Sequence, residues 1–493
     1  MSIWRRKPLH LLLAEATESE KGLKRTLTAW SLVALGIGAI IGAGLFVRTA
    51  TAAAQNAGPS VTIGFIVAAI GCALAGLCYA ELSSSIPISG SAYTYTYATM
   101  GEFLAWIIGW DLILEYAVGA ATVGIAWSEY LNNLLVTVLH TSPIPYEWCH
   151  SPFQSSADGV SGIINLPALF IVGAISLLLI KGTQESAFVN GLIVLVKVAI
   201  VILIIVLGWG FINPANHATY IPEPSTYTDD SGVPHNFGGV LGILGAAGTV
   251  FFAFIGFDAV STAAQETKNP KRDMPIGILG SLAVCTVLYI LFAHVLTGVA
   301  TIEDFRTTGK EASVAFAINK YMIGYEWLGN FVTVAILFGF SSVILVMLLG
   351  QSRVFYAMGK DGLLPQFFSH LHPKYQTPYK ANLAILVIVG LFAAFIPGDV
   401  VGDMTSIGTL FAFILVCISV IVLRKTEPDM KREFKTPLVP FVPVLGVIVC
   451  LAMIYGLGWT NWLRLIGWMA IGIVVYYAYG KNHSILGKNE RNK

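Results

Sequence analysis

Two apolar stretches of this chain are interrupted by short flexible runs. The first is Gly36-Ile37-Gly38-Ala39-Ile40-Ile41-Gly42-Ala43-Gly44-Leu45-Phe46, and the second is Phe251-Phe252-Ala253-Phe254-Ile255-Gly256-Phe257-Asp258. Inside hydrocarbon an unpaired backbone group is costly, so an interruption persists where the freed N–H and C=O groups line a cavity. Matched interruptions in two halves of a chain point to a substrate site. At the first break, the N–H groups of Gly42, Ala43 and Gly44 open a new half-helix, whose positive end suits a carboxylate. The C=O groups of Ile40 and Ile41 close the preceding half and suit an ammonium. A small zwitterion therefore fits. The competing reading is packing, since Gly38 and Gly42 form a GxxxG contact face. The likeness to a dinucleotide-binding GxGxxG fails, because position 41 is Ile and the setting is an apolar helix.

The second break carries a weaker signal, because Gly256 is its one permissive residue. Carbonyls of Phe252, Ala253 and Ile255 are placed to meet an ammonium, and Phe252 to cover it. Phe254, Phe257 and Val118 are candidates for an apolar side-chain pocket. Read alone, these phenylalanines are equally ordinary core or lipid-facing residues.

Three ionisable residues fall within apolar runs. Lys197 lies near the middle of its run, about 16 Å deep at ~1.5 Å per residue, and a midplane charge is by default functional. It is a candidate proton carrier; its alternative is a fixed cation bonding the broken first run. Glu115, with Asp111, Gly119 and Thr122 on nearby faces, is open to substrate contact, proton relay or pairing with Lys197. Asp258 follows the second break and is a candidate gate or proton site. His294 reads as a packing residue.

These residues need a membrane scaffold to hold them. Hydrophobic residues make up 56% of the 493-residue chain and charged ones 12%, against about 25% charged in soluble proteins. Twelve runs are long enough to span, near 29–50, 61–82, 98–133, 162–180, 187–210, 238–264, 275–300, 326–355, 381–397, 403–424, 438–457 and 461–480. With both termini inside, 23 of the 29 Lys and Arg residues are cytoplasmic and 4 are outside, which orients the chain. Five of the six cysteines lie in spans and only Cys149 in an outer loop, so no disulfide framework is expected. Residues 1–28 form a cytoplasmic segment rather than a cleaved signal. Residues 29–480 form one transmembrane domain and 481–493 a cytoplasmic tail. The net charge of +1 specifies no partner, and no catalytic, metal-binding or nucleic-acid-binding pattern is present.

Counting spans gives two sets of five, about 29–210 and 238–424, and two extra helices at about 438–480. An odd number per set inverts the second relative to the first. The expected fold is thus all-α: twelve transmembrane helices in an inverted repeat, with helices 1 and 6 broken. The third span is over-long, from about Thr99 to Asn133, and expected to tilt. Loop 301–325 is expected to hold a short helix over the outer entrance. Loops 134–161 and 211–236 read as solvent-exposed connectors.

In these residues the chain resembles the amino acid–polyamine–organocation superfamily, and within it the cationic amino acid transporters. The likeness rests on GIGAIIGAGLF (36–46), ELSSSIPISGSAYTY (81–95), GWDLILEYAVG (109–119), FFAFIGFDAVSTAAQETKNPKRDMP (251–275) and RVFYAMGKDGLLP (353–365). The resemblance implies a LeuT-like fold with alternating access. It implies a substrate carboxylate on Gly42, Ala43 and Gly44, an amino group on carbonyls of Ile40, Phe252 and Ile255, and a lysine at Lys197 in place of sodium. Side-chain selectivity would come from spans 3, 6, 8 and 10. Twelve spans rather than fourteen, and Ala264-Gln265-Glu266 where a Gly-Glu-Glu run is usual, keep cationic preference from carrying over. The expectation is a proton-coupled importer of small neutral L-amino acids in the cell membrane, with no cofactor beyond H⁺. Partners are the amino acid and membrane lipid; some relatives also use a single-span accessory protein, which nothing here specifies. The alternatives are a cationic amino acid transporter, an exchanger and, more remotely, a non-transporting nutrient receptor.

Overall fold

The computed structural model describes residues 4–8, 27–86, 91–156, 158–181, 187–229, 232–264, 267–307, 312–375 and 377–491. Most of the expected N-terminal segment lies outside these residues, as do Gln265, Glu266 and part of the 81–95 motif. Each expected apolar run carries helix. Among the described residues, eight helices are long and apolar enough to cross a membrane. Four shorter apolar helices accompany them, Ala29–Ile40, Leu166–Lys181, Tyr379–Phe395 and Phe441–Gly456.

The first run is divided as its glycines suggest. Helix α1 (Ala29–Ile40) starts at Thr28, whose side chain accepts the Ser31 N–H, as an N-cap should. It stops where Ile41 turns extended. After Gly42 come α2 (Ala43–Phe46), α3 (Arg48–Ala52) and a π turn, Ala53–Ala57. Helix α4 (Val61–Ser85) returns through the molecule.

The third run differs from expectation. Ser91–Thr99 is a separate helix, α5, and the chain turns at Gly101 with φ +100°. The long element runs from Glu102 to Val138: α6 (Glu102–Leu112), a π turn (Ile113–Val118), α7 (Gly119–Asn133) and a second π turn (Leu134–Val138). A side chain at Gly101 would meet the backbone of Trp4 and Arg5, so glycine there admits both the turn and the N-terminal segment beside it.

Helices α8 (Leu166–Lys181) and α9 (Ala187–Gly208) follow. Next come a hairpin of β1 (Ser225–Thr228) and β2 (Pro234–Phe237), then α10 (Gly239–Phe251). A 3-10 turn, Phe252–Phe254, and an irregular stretch separate α10 from α11 (Ala259–Thr262). The remaining helices are α12 (Pro270–Val299), α13 (Ile302–Arg306), α14 (Ser313–Tyr321), α15 (Glu326–Lys360), α16 (Tyr379–Phe395), α17 (Gly398–Thr426), α18 (Phe441–Gly456), α19 (Trp459–Val475) and two short C-terminal ones, α20 (Lys481–His483) and α21 (Ile485–Arg491). Loop 211–236 is therefore more than a connector, and the expected helix in 301–325 is a pair.

Two packed groups emerge. Helices α1, α4, α10 and α12 pack together, as do α7, α8, α15 and α16, while α17 touches members of both. Backbone pairing of Leu27 with Thr267 and Lys268 ties the start of α1 to the chain beyond α11. At the far ends of α4 and α17, the buried Glu81 carboxylate accepts from Arg424 at 2.7 and 3.0 Å and from the Thr436 N–H at 2.7 Å. Breaking a buried, hydrogen-bonded ion pair costs about 3–5 kcal/mol, less here because Arg424 keeps contact with water. Glu81→Ala should therefore destabilise the protein by about 2–3 kcal/mol. Lys271→Ala, at the exposed pair with Glu433, should leave stability nearly unchanged, because water screens such pairs. Thermal unfolding in detergent compares the two; equal effects would remove Glu81 from the framework.

Candidate functional site

The end of α1 leaves backbone groups without helical partners. The N–H groups of Gly42, Ala43 and Gly44 have no backbone acceptor among the described residues. The Gly42 carbonyl accepts from Leu45 and Phe46 at 3.1 and 3.3 Å, which starts α2. On the facing element, Ile255 is extended and Gly256 takes φ +114°, a conformation suited to glycine. The Phe252 carbonyl accepts the Ile255 N–H at 3.3 Å, so it is engaged within its own turn.

Tyr289 of α12 links the two breaks. Its buried hydroxyl lies 3.0 Å from both the Ile40 carbonyl and the Ala253 carbonyl and donates towards them. The breaks also touch directly. A Cβ at Gly44 would run into the Ala253 backbone, and one at Gly256 would lie 2.9 Å from the Ala39 carbonyl. A Cβ at Gly42 would lie 3.0 Å from Val343 of α15. The glycines thus serve close packing as well as the break.

Lys197, on α9 and buried, donates to the Gly38 carbonyl at 2.9 Å, four residues before Gly42. Glu115 lies elsewhere, in the π turn of the third run and fully buried. The groups acting most strongly on it are Asp258 and Asp111. Neither Glu115 oxygen has a hydrogen-bond donor among the described residues, and the same holds for Asp111. Asp258 accepts from the Tyr116 hydroxyl. The structure therefore brings Glu115 and Asp258 together and gives Lys197 a carbonyl of the first break. The Phe254 ring packs on Phe65 and Tyr289, with centroids at 6.2 and 5.3 Å. Phe257 packs on Tyr79 and Phe413. Both rings are taken up by neighbouring helices, while Val118 adjoins Gly119, which faces Thr405 and Met347. His294 packs at a tilt against His217 and Trp209, in keeping with a packing role.

A cleft reaches Ala43 from one end of the molecule, between Arg48, Thr51, Gln55, Thr122, Glu129, Asp229 and Asp399. Arg48, 2% exposed, spans its wall by pairing with Asp403 and, at 3.1 Å, with Asp399. Helices α13 and α14 lie over this end: Ser313 donates to the Phe46 carbonyl at 3.2 Å and Arg306 to the Ala54 carbonyl at 2.9 Å. At the other end, Asp361 is held by Lys7 at 2.8 Å and by the Tyr93 hydroxyl at 2.7 Å.

Tyr289 and the Arg48–Asp403 pair escape sequence reasoning. A single tyrosine in an apolar run has no spacing signal, and Arg48 and Asp403 are 355 residues apart. Only the burial of Arg48 within an apolar run hints at a partner.

A family model described as amino acid permease matches residues 27–477. The chain is 43% identical to the branched-chain amino acid permease BcaP of Bacillus subtilis, over 99% of each chain. It is 41% identical to the methylthioribose transporter of the same organism, over 99% of this chain and 100% of that one. It is 34% identical to the vacuolar cationic amino acid transporter 4 of Arabidopsis thaliana, over 87% of this chain and 68% of that one.

Tyr289→Phe removes the hydroxyl and leaves both carbonyls buried without their shared donor. Affinity for L-alanine should fall roughly tenfold, the size of one neutral hydrogen bond, with the fold retained. Calorimetric titration checks this; unchanged affinity would mean the hydroxyl does not set the geometry of the breaks.

Proposed function

The chain belongs to the amino acid permease family, and we propose that it imports small neutral L-amino acids together with protons. In this reading it is a multi-pass cell-membrane protein of twelve spans, an inverted repeat and two extra helices, working by alternating access. Both termini face the cytoplasm, so the cleft above Ala43 opens outward. The observation that carries the reading is the shared Tyr289 hydroxyl. It marks the carbonyls of Ile40 and Ala253 as one acceptor pair, beside the unpartnered N–H groups of Gly42, Ala43 and Gly44. Those opposite ends suit the ammonium and carboxylate common to all amino acids.

Lys197 supplies the coupling. When charged it donates to the Gly38 carbonyl; on losing its proton it has weaker hold on α1, which then moves with α11 through the Leu27 pairing. Two neighbouring buried carboxyls do not both ionise readily, so Glu115 and Asp258 form a second proton site. Val343 close against Gly42 and Met347 close against Gly119 restrict the space near the break, which favours a small apolar side chain. The uncompensated carboxyls Asp111, Glu115 and Asp258 favour a second reading, a cationic substrate. Obligate exchange and a non-transporting receptor predict, respectively, counterflow without net uptake and binding without flux.

Uptake of L-alanine into liposomes under an imposed inward proton gradient should rise at least tenfold over uptake without one. Lys197→Gln should abolish that gain while keeping binding. Gradient-independent uptake with an active Lys197→Gln variant excludes the coupling. A thermal-shift screen should rank small neutral amino acids above lysine, arginine and methylthioribose; stabilisation by methylthioribose alone overturns the substrate class.

A further inference from the structure

The end of the molecule opposite the cleft closes around one carboxylate. Glu102 opens α6 and is fully buried, and its side-chain hydrogen bonds come from three separate parts of the chain. Tyr97 of α5 donates at 3.2 Å, and Tyr476, in the π turn after α19, donates at 3.0 Å. The third donor is the buried Ser484 hydroxyl, between α20 and α21. Its oxygen accepts the Gly487 N–H at 3.2 Å, which leaves its own proton for Glu102. The Arg5 guanidinium stands 3.9 Å from the same carboxylate, and the Arg5 carbonyl accepts the Glu102 N–H at 2.7 Å.

The tail and the N-terminal segment share a second anchor, the turn after α15. Lys7 bonds the Asp361 carboxylate, while the Ile485 N–H donates to the Asp361 carbonyl at 3.1 Å. The His483 carbonyl lies against Gly362, 2.5 Å from where a Cβ would stand. The two segments also touch each other, since a Cβ on the buried Gly487 would run into Arg5 Nη1. The helix that delivers the tail is fixed to α6. Trp110 stacks on Trp468 of α19 with centroids at 5.0 Å and donates to its carbonyl at 2.9 Å, and Trp106 donates to the Gly472 carbonyl at 2.8 Å.

We propose that residues 481–491 are a bolt on this end, resting on the alternating access proposed above: seated, they hold Arg5 and the N-terminal segment against Glu102; withdrawn, they free that segment and the end opens. A buried carboxylate is penalised for each donor it lacks, so the closed end is fully satisfied only with the tail in place. Water replaces the missing donor once the end has opened. Because α19 is bonded to α6, the tail can leave while its helix stays.

The test reads access from the tail side and needs no transport. Ser261 is fully buried on α11, which packs against α5. Ser261→Cys is treated with a membrane-impermeant thiosulfonate in vesicles that expose the tail; the protein without it supplies the blank for the six native cysteines, all buried. Ser484→Ala should raise the modification rate about tenfold, the weight of one hydrogen bond to a charged group. Gly487→Val and truncation after Gly480 should raise it further, and Lys488→Ala, exposed on the same helix, should leave it unchanged. Thr51→Cys, in the cleft at the opposite end, is read in vesicles of the other orientation. A Thr51 rate that falls as the Ser261 rate rises supports both the bolt and alternating access. A Ser261 rise with Thr51 unchanged keeps the bolt and contradicts alternating access. A Ser261 rate unmoved by Ser484→Ala and by truncation, or both rates rising together as in general loosening, overturns the bolt.

Discussion

Backbone groups released by a broken helix cannot remain unsatisfied in hydrocarbon, and the rest of this structure follows from how two such breaks are answered. The first is met from three directions. Lys197 takes the Gly38 carbonyl, Tyr289 takes Ile40, and Gly44 brings the Ala253 backbone alongside. The N–H groups of residues 42–44 keep no backbone acceptor among the described residues. Because the same tyrosine also takes Ala253, the two breaks behave as a single site and not as two independent kinks.

This arrangement separates what must move from what must hold. Helix α1 and the residues beyond α11 are clipped by backbone pairing at Leu27, while α7, α8, α15 and α16 form a second packed group. Polar contacts join the elements around these groups: Arg48 with Asp399 and Asp403 at the cleft, and Tyr116 with Asp258 at the second break. Each joins elements distant in sequence.

The sequence exposed the parts of this design that obey local rules. Gly36–Phe46 was legible because glycines inside an apolar run are costly unless used, and Lys197 because a midplane charge is. The second break was faint, since Gly256 alone among its residues tolerates the φ it adopts. Apolar length located the helices, but not the turn at Gly101, where the backbone of Trp4 and Arg5 packs alongside. The pairing of Glu115 with Asp258 rather than Lys197 was out of reach, because which face of a π turn meets which neighbour is a tertiary fact. The rings of Phe254 and Phe257 pack on aromatic partners of α4, α12 and α17, contacts that no spacing in the sequence announces.

The central claim is that one site receives both ends of a zwitterion. Calorimetry with L-alanine, propionate and ethylamine on the purified protein tests it most directly, since the two analogues each keep one charged end. The account requires measurable binding of L-alanine and at least a hundredfold weaker binding of either analogue. Propionate or ethylamine binding as tightly as L-alanine would contradict it, because one of the two breaks would then contribute nothing to recognition.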